Sequence, residues 1–161
     1  MSTTINEIMR KKLETIEATS SVQQAAKKMK DKTVSSLVVV DENGKSLGIV
    51  SERDLVTKVC SDDLRPSAVI NADIMSSPLI TIKSRASPSE AADMMLLHNV
   101  RHLLVVDDDS GDNNMGSGSS NNNNYAGIPV GIITPLDFTR YQGNIDNKDK
   151  DAIEKILEYY R

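Results

Sequence analysis

The hydrophobic and polar positions of this chain follow a strand–helix–strand–strand–helix pattern. A short extended segment, LETIEA, comes first, and the next segment predicts a helix because apolar residues recur there at helical spacing. Those residues are Val22, Ala25, Ala26 and Met29. The run SSLVVVD is almost entirely apolar, which predicts a buried strand. Asn43-Gly44 predicts a tight hairpin turn to a further strand, LGIV, and a second helix is predicted to begin at Ser51.

The same pattern occurs a second time. Residues 74–107 repeat residues 8–41 without a gap, and 14 of these 34 positions are identical. Composition alone would give roughly two or three matches. The offset then rises from 66 to 83, since Gly131 matches Gly48, so the second copy carries 17 additional residues. They fall within DDDSGDNNMGSGSSNNNNYAG, whose composition predicts a flexible insertion at about residues 108–127. A calcium loop is disfavoured there, because the spacing and closing glutamate of an EF-hand are missing.

Both copies carry a signal for the start of their first helix. Ser21 is followed three residues later by Gln24, and Ser87-Pro88 is followed by Glu90. A hydroxyl and an acidic or amide side chain at this spacing predict a capping box, and proline favours the first helical position.

The order β-α-β-β-α, found twice, predicts an α/β (α+β) fold. A single repeat would leave one face of its sheet bare, so two βαββα repeats are expected to pack sheet to sheet. We place the repeats at residues 5–59 and 71–142, with a linker at 60–70. The tail at 143–161 predicts an amphipathic helix, whose apolar stripe would dock on the core or on a second subunit. The stripe consists of Ile153, Ile156, Leu157 and Tyr160.

Composition narrows the function. The 161 residues carry a formal net charge of −4 and only five aromatic side chains, which disfavours a nucleic-acid binder. The single cysteine, Cys60, excludes an internal disulfide and favours a reducing compartment. The first residues carry no apolar run of signal-peptide length, and runs such as LVVV are too short to span a bilayer. We therefore expect a cytoplasmic protein without a membrane segment.

One phrase is written twice, as GIVSERDL at 48–55 and GIITPLDF at 131–138. It can be a helix start, in which the hydroxyl caps a backbone N–H and the aspartate faces the positive helix end. It can also be half of a ligand site. The glycine would let another group approach the strand closely. The carboxylate would accept hydrogen bonds from a vicinal diol, and the helix N-terminus would face a phosphate.

The ordered set of these segments resembles a tandem pair of cystathionine-β-synthase (CBS) domains, known as a Bateman module. The matching text is IMRKKLETI and DIMSSPLITI, followed by TVSSLVVVDENGK with LGIVSERDL and by NVRHLLVVDD with VGIITPLDF. The resemblance implies pseudo-twofold symmetry, two clefts, and binding of AMP, ADP, ATP or S-adenosylmethionine. It also implies a homodimer that acts as a regulator of another protein and is not an enzyme.

The resemblance also implies which residues line each cleft. Asp54 and Asp137 would each bind a ribose. The hydroxyls beside them are Ser51 and Thr134, and the adenine walls are Ile49 and Ile132. The Asp54 cleft would be completed from the other copy by Val100, Arg101 and His102, and the Asp137 cleft by Val34, Ser35 and Ser36.

The two clefts are predicted to differ. Arg101 and His102 offer donors for a phosphate, whereas Ser35-Ser36 offer neutral hydroxyls, so the Asp54 cleft should prefer a phosphorylated nucleotide. Arg53 would offset this difference if it pointed into the Asp137 cleft. His98 and His102 are not expected to bind a metal, because one ends a helix and the other begins a strand.

Two further functional classes are an enzyme, which the sequence disfavours, and a structural module, which stays open. An enzyme is disfavoured, because the chain has no nucleophile–base pair, phosphate-cradling glycine loop or metal cluster, and no cofactor is expected. The alternative to a nucleotide sensor is a structural dimerisation or adaptor module with non-functional clefts.

Overall fold

The structure is a computed structural model that describes residues 2–107 and 129–161. The insertion predicted at 108–127, with the calcium loop considered for it, lies outside the described residues. The chain forms two compact units. The first unit is Leu13–Leu79, and the second unit combines Met1–Lys12 with Ile80–Arg161.

The described elements confirm the mixed α/β fold and the predicted order. In chain order they are α1 (Ile5–Ile8), β1 (Thr15–Glu17), α2 (Val22–Lys32), β2 (Ser36–Val40), β3 (Ser46–Ser51), α3 (Glu52–Asp54, continued by a π-helical turn over Leu55–Cys60), a 3₁₀ turn (Pro66–Ala68), α4 (Asn71–Ile74), β4 (Thr81–Lys83), α5 (Pro88–His98), β5 (Leu103–Val106), β6 (Pro129–Ile133), α6 (Pro135–Arg140) and α7 (Asn147–Tyr159).

The first unit contains a three-stranded sheet in the order β1-β2-β3. Strand β2 pairs parallel with β1 and antiparallel with β3, so it is the central strand. Its apolar run is buried as predicted, with Leu37, Val38 and Val39 inaccessible to solvent. The hairpin turn contains Gly44 at a φ of 78°, a conformation that glycine adopts without strain. Helix α2 packs its predicted stripe on this core, where Val22, Ala25 and Met29 are buried.

The second unit repeats this topology with a sheet in the order β4-β5-β6. Its core is larger, because α7 adds Ile153 and Ile156 to it and α1 adds Ile5 and Ile8. The tail helix therefore docks on its own chain, packing mainly against α5. Of the predicted stripe, Ile153 and Ile156 are buried, while Leu157 and Tyr160 are partly buried.

Each unit takes an opening segment from the other copy of the sequence repeat. Arg10, at the start of the chain, exchanges two backbone hydrogen bonds of 2.9 and 3.0 Å with Ile132 in β6. Ser76, at the start of the second repeat, does the same with Ile49 in β3, at 2.8 and 3.1 Å. Each compact unit therefore combines the sheet of one sequence repeat with the opening segment of the other repeat.

Both predicted capping boxes are present. The Ser21 hydroxyl accepts a hydrogen bond from the Gln24 backbone N–H at 3.2 Å. The side-chain oxygen of Gln24 accepts one from the Ser21 backbone N–H at 3.0 Å. In α5 the matching distances between Ser87 and Glu90 are 3.2 and 2.7 Å. Each box satisfies backbone donors that would otherwise lack a partner at the helix start.

These boxes give a matched test of charge at a helix start. The Ser87 backbone N–H, together with its hydroxyl, lowers the pKa of Glu90 from its usual 4.5. The stability from ionised Glu90 is therefore present above pH 4.5 and is lost as the pH falls through the lowered value. Glu90→Ala should lower the free energy of unfolding by about 0.5 kcal/mol at pH 7 and by less at pH 3. The loss is small because Glu90 is exposed.

Gln24→Ala is the control, since it removes the same bond without a titrating group. Urea unfolding of both variants between pH 3 and 7 makes the comparison. Equal pH profiles for the two variants would contradict the role assigned to the Glu90 charge.

Candidate functional site

The repeated phrase lies at the same structural junction in both units. Ser51 ends β3 and caps α3, and Thr134 follows β6 and caps α6. The aspartates come three residues later and are almost fully buried, with 7% of Asp54 and 3% of Asp137 exposed. A buried carboxylate needs partners for its charge, so the contacts of each oxygen decide what else it can bind.

The Asp54 carboxylate has three donors around it. Its Oδ2 accepts bonds from the Ser51 amide at 2.8 Å and the Ser51 hydroxyl at 2.9 Å. Its Oδ1 lies 3.0 Å from Nζ of Lys58, one helical turn away on the same segment. The Ser51 hydroxyl in turn accepts a bond from the Asp54 amide at 3.3 Å. The helix-start interpretation of the phrase is therefore correct.

Asp137 has the same arrangement with a different cation. Its Oδ2 accepts bonds from the Thr134 amide at 2.8 Å and the Thr134 hydroxyl at 2.9 Å. Its Oδ1 lies 2.6 Å from Nε of Arg10, which belongs to the opening segment paired with β6. In both units, one carboxylate oxygen serves the helix start and the other faces a side-chain cation.

The glycine of each phrase admits the protein's own backbone. A Cβ atom on Gly48 would lie 2.6 Å from the Ser76 carbonyl oxygen, and one on Gly131 would lie 2.6 Å from the Arg10 carbonyl oxygen. The close approach predicted for these glycines is present. The group that approaches is the opening segment, however, so the glycines themselves are no evidence for a ligand.

Comparison of the copies did not reveal Lys58 or Arg10. At an offset of 66 the position of Arg10 is taken by Ser76, and at an offset of 83 the position of Lys58 is taken by Tyr141. Neither cation is shared by both copies, so a search for repeated residues passes over them. For Lys58 the spacing of four residues from Asp54 was a usable signal. For Arg10 none existed, because 127 residues separate it from Asp137.

The remaining predicted residues of the first unit lie beside α3. The carbonyl of Ser35 accepts a bond from the Glu52 amide at 3.0 Å, and Ser36 is opposite Ser51 in the sheet. Val34 is half-buried, Ile49 is buried, and Arg53 is exposed to solvent. Ser35 and Ser36 thus lie next to the Asp54 helix start of their own unit.

In the second unit, Ile132 is buried in β6, and Arg101 and His102 are half-buried just before β5. The Arg101 guanidinium lies over the ring of Tyr160, 4.7 Å from its centroid. The Tyr160 hydroxyl donates to the Val100 carbonyl at 2.9 Å. Burial raises the pKa of Tyr160; Tyr159 raises it further and Arg101 lowers it. The predicted meeting of Asp54 with Val100, Arg101 and His102 joins residues of different units and stays a prediction.

Two other features concern the described residues only. Within 2–107 and 129–161, no three side chains of the His, Cys, Asp and Glu types cluster in a way that could hold a metal ion. In the same ranges, no helix has the length and apolarity needed to cross a bilayer.

A family model for the CBS domain matches residues 5–61 and 72–113, together more than half of the chain. This chain belongs to the CBS-domain family. Its two compact units have the same order of elements, as expected for two CBS domains in tandem.

Related proteins include an uncharacterized protein from Methanopyrus kandleri. It is 37% identical over 102 residues, which cover 63% of this chain and 52% of that protein, so the chain spans about half the length of this relative. A conserved CBS-domain protein of unknown function from Thermoplasma acidophilum has a similar structure. The TM-score is 0.74 at 25% identity, over 100% of this chain and 78% of that one.

A CBS-domain protein from Pyrobaculum aerophilum, solved in complex with AMP, has the same fold. Its TM-score is 0.67 at 18% identity, over 97% of this chain and 99% of that one. At this identity the likeness establishes the fold alone.

Proposed function

We propose that this CBS protein is a non-catalytic regulatory sensor of adenosine nucleotides or S-adenosylmethionine, and that it passes the state of its ligand to a partner protein. Family membership and the AMP complex of a protein with the same fold support the ligand class. We propose further that it acts as a cytoplasmic homodimer.

The observation that carries the proposal is the pair of buried aspartates at equivalent helix starts. An ionised carboxylate offers about four acceptor positions. Asp54 uses three of them, two for Ser51 and one for Lys58. Lys58 is 43% exposed, and its Nζ also donates to the Ile74 carbonyl at 2.8 Å, so a ligand that displaces Lys58 from Asp54 must compete with the ion pair. One acceptor position then remains open, and a second opens when Lys58 moves, which matches the two donors of a ribose diol.

Asp137 offers the same two acceptor positions to a ribose diol. Two of its acceptor positions serve Thr134, and one serves Arg10, whose side chain is 32% exposed. A purely structural capping box needs one carboxylate oxygen. The second oxygen, turned toward a partly exposed cation in both units, is what favours a ribose site over a structural role alone.

The two sites are proposed to differ in their preference for phosphate. The sequence predicts that Arg101 and His102 serve the nucleotide held by Asp54. The structure adds Arg10, a cation next to Asp137 that the comparison of the copies did not include. The relative losses of ATP affinity in Asp54→Ala and Asp137→Ala will show which of the two sites binds the phosphorylated nucleotide.

Calorimetric titration with AMP, ATP and S-adenosylmethionine tests the proposal. Asp54→Ala should weaken binding at least tenfold, because a hydrogen bond to a charged group contributes about 1.5–3 kcal/mol. Asp54→Asn should also weaken binding, although it keeps an acceptor for the Ser51 amide and so preserves the helix start. Asp31→Ala, at an exposed position of α2, is the control and should bind as the wild type does.

The alternative, a dimerisation or adaptor module with non-functional clefts, predicts a different result. No heat with any of the three ligands, for a folded wild-type protein, would rule out the sensor. Equal affinities of Asp54→Ala and Asp31→Ala would leave a nucleotide binder whose ribose site is elsewhere.

A further inference from the structure

The tail helix α7 is attached to the second unit along its whole length. At its start, the Asp149 carboxylate is 3% exposed and accepts a bond from the Ser89 amide in the first turn of α5, at 3.0 Å. In its middle, Ile153 and Ile156 lie in the core. Its last residues contact the segment that joins α5 to β5.

That last contact surrounds Arg101. The Tyr159 hydroxyl donates to Oδ1 of Asn99 at 3.2 Å, and the Tyr160 hydroxyl donates to the Val100 carbonyl at 2.9 Å. The Tyr160 ring lies under the guanidinium of Arg101. Three consecutive residues, 99–101, are therefore held by Tyr159, the last residue of α7, and by Tyr160, which follows it.

Arg101 differs from the two cations near the aspartates. Lys58 and Arg10 each pair with a carboxylate, whereas no carboxylate in the described parts of the chain pairs with Arg101. The guanidinium has a fork of N–H donors that suits a phosphate, and an aromatic face limits where that fork can point. Contact with Tyr160 thus orients a charge that has no anionic partner among the described residues.

We infer that Tyr160 is a positioning residue for phosphate recognition by Arg101, and that phosphorylated nucleotides thereby stabilise the docking of α7. The inference rests on the proposed function, because it requires that a nucleotide reaches Arg101. Thermodynamic linkage makes the effect reciprocal: if a docked α7 favours the ligand, the ligand favours the docked α7 by the same factor. Helix α7 would then be the element through which ligand state reaches a partner.

Titration of the full chain with AMP and adenosine tests the positioning role. Tyr160→Leu should weaken the binding of AMP about fivefold and change the binding of adenosine less than twofold, since only AMP carries the phosphate. Tyr160→Phe keeps the ring under Arg101 but loses the hydroxyl bond to the Val100 carbonyl, so it should weaken AMP binding less than Tyr160→Leu does. A purely structural role for Tyr160 would affect both ligands equally.

A double-mutant cycle keeps the test valid if Tyr160→Leu loosens the tail. Arg101→Met should weaken AMP, and adding Tyr160→Leu should weaken it little further, because the two residues act as a unit. Additive losses would overturn the inference. Hydrogen exchange of the α7 amides in the wild type gives the reciprocal measure, and AMP should slow it about fivefold.

The outcomes separate this inference from the proposed function. Unchanged α7 exchange in a wild type that binds AMP, or equal losses for AMP and adenosine in Tyr160→Leu, would overturn the inference and leave the sensor intact. Absence of binding to AMP, ATP and S-adenosylmethionine in the wild type would overturn both.

Discussion

Gly131→Ala is expected to lower the free energy of unfolding by about 3–5 kcal/mol. The new Cβ atom would lie 2.6 Å from the Arg10 carbonyl oxygen and 2.7 Å from the Met9 sulfur. Forcing an extra methyl group into such a site costs roughly 1–3 kcal/mol. The displaced opening segment would also lose its two backbone bonds to Ile132, each contributing about 0.5–1.5 kcal/mol. Denaturant unfolding followed by circular dichroism measures the loss.

The identity of the colliding group can be tested separately. Met9→Ala removes the sulfur but leaves the Arg10 carbonyl in place, so it should not rescue Gly131→Ala. Full rescue would show that the side chain alone sets the limit. Gly48→Ala should behave like Gly131→Ala, because its Cβ would lie 2.6 Å from the Ser76 carbonyl oxygen.

Ile156→Ala is expected to destabilise the protein by about 2–5 kcal/mol. Ile156 has no exposed surface and lies in the core of the second unit, against which α7 packs. Truncation removes apolar contacts and leaves a cavity that close-packed neighbours fill only in part. Thermal and urea unfolding of the purified variant provide the measurement.

Lys155→Ala is the matched control, since it changes the preceding, exposed residue of the same helix and keeps a good helix former. Its stability should stay within about 0.5 kcal/mol of the wild type. A similar loss in both variants would contradict the role assigned to the burial of Ile156.

The structure confirms the helix-start interpretation of the repeated phrase, and the ribose-site interpretation stays a prediction. Ser51 and Asp54 form a capping box, as the helix-start hypothesis requires. The same carboxylate has its other oxygen turned toward Lys58, so the capping role occupies one of its two oxygens. The local spacing of hydroxyl and carboxylate was enough to predict the box, because both bonds form within four residues.

The tail helix shows a limit of pattern analysis. Its stripe predicted the buried face, but an amphipathic face carries no information about what covers it. The structure answers this with contacts from residues far apart in sequence, such as Asp149 with Ser89 and Tyr160 with Val100. The contact of Tyr160 with Arg101 belongs to the same class and had no signal in the repeat.

Local rules thus account for the elements, their order, the buried strands and the capping boxes, because periodicity, turn residues and caps act over a few neighbouring positions. The cations beside the aspartates, the reason for the two glycines and the partner of α7 depend on which distant segments meet. Arg10 reaches Asp137 only because the opening segment pairs with β6, and Gly131 is required only because that backbone passes over it. Such pairings arise from the packing of whole elements, whose free energy is shared among many residues and leaves no short pattern in the chain.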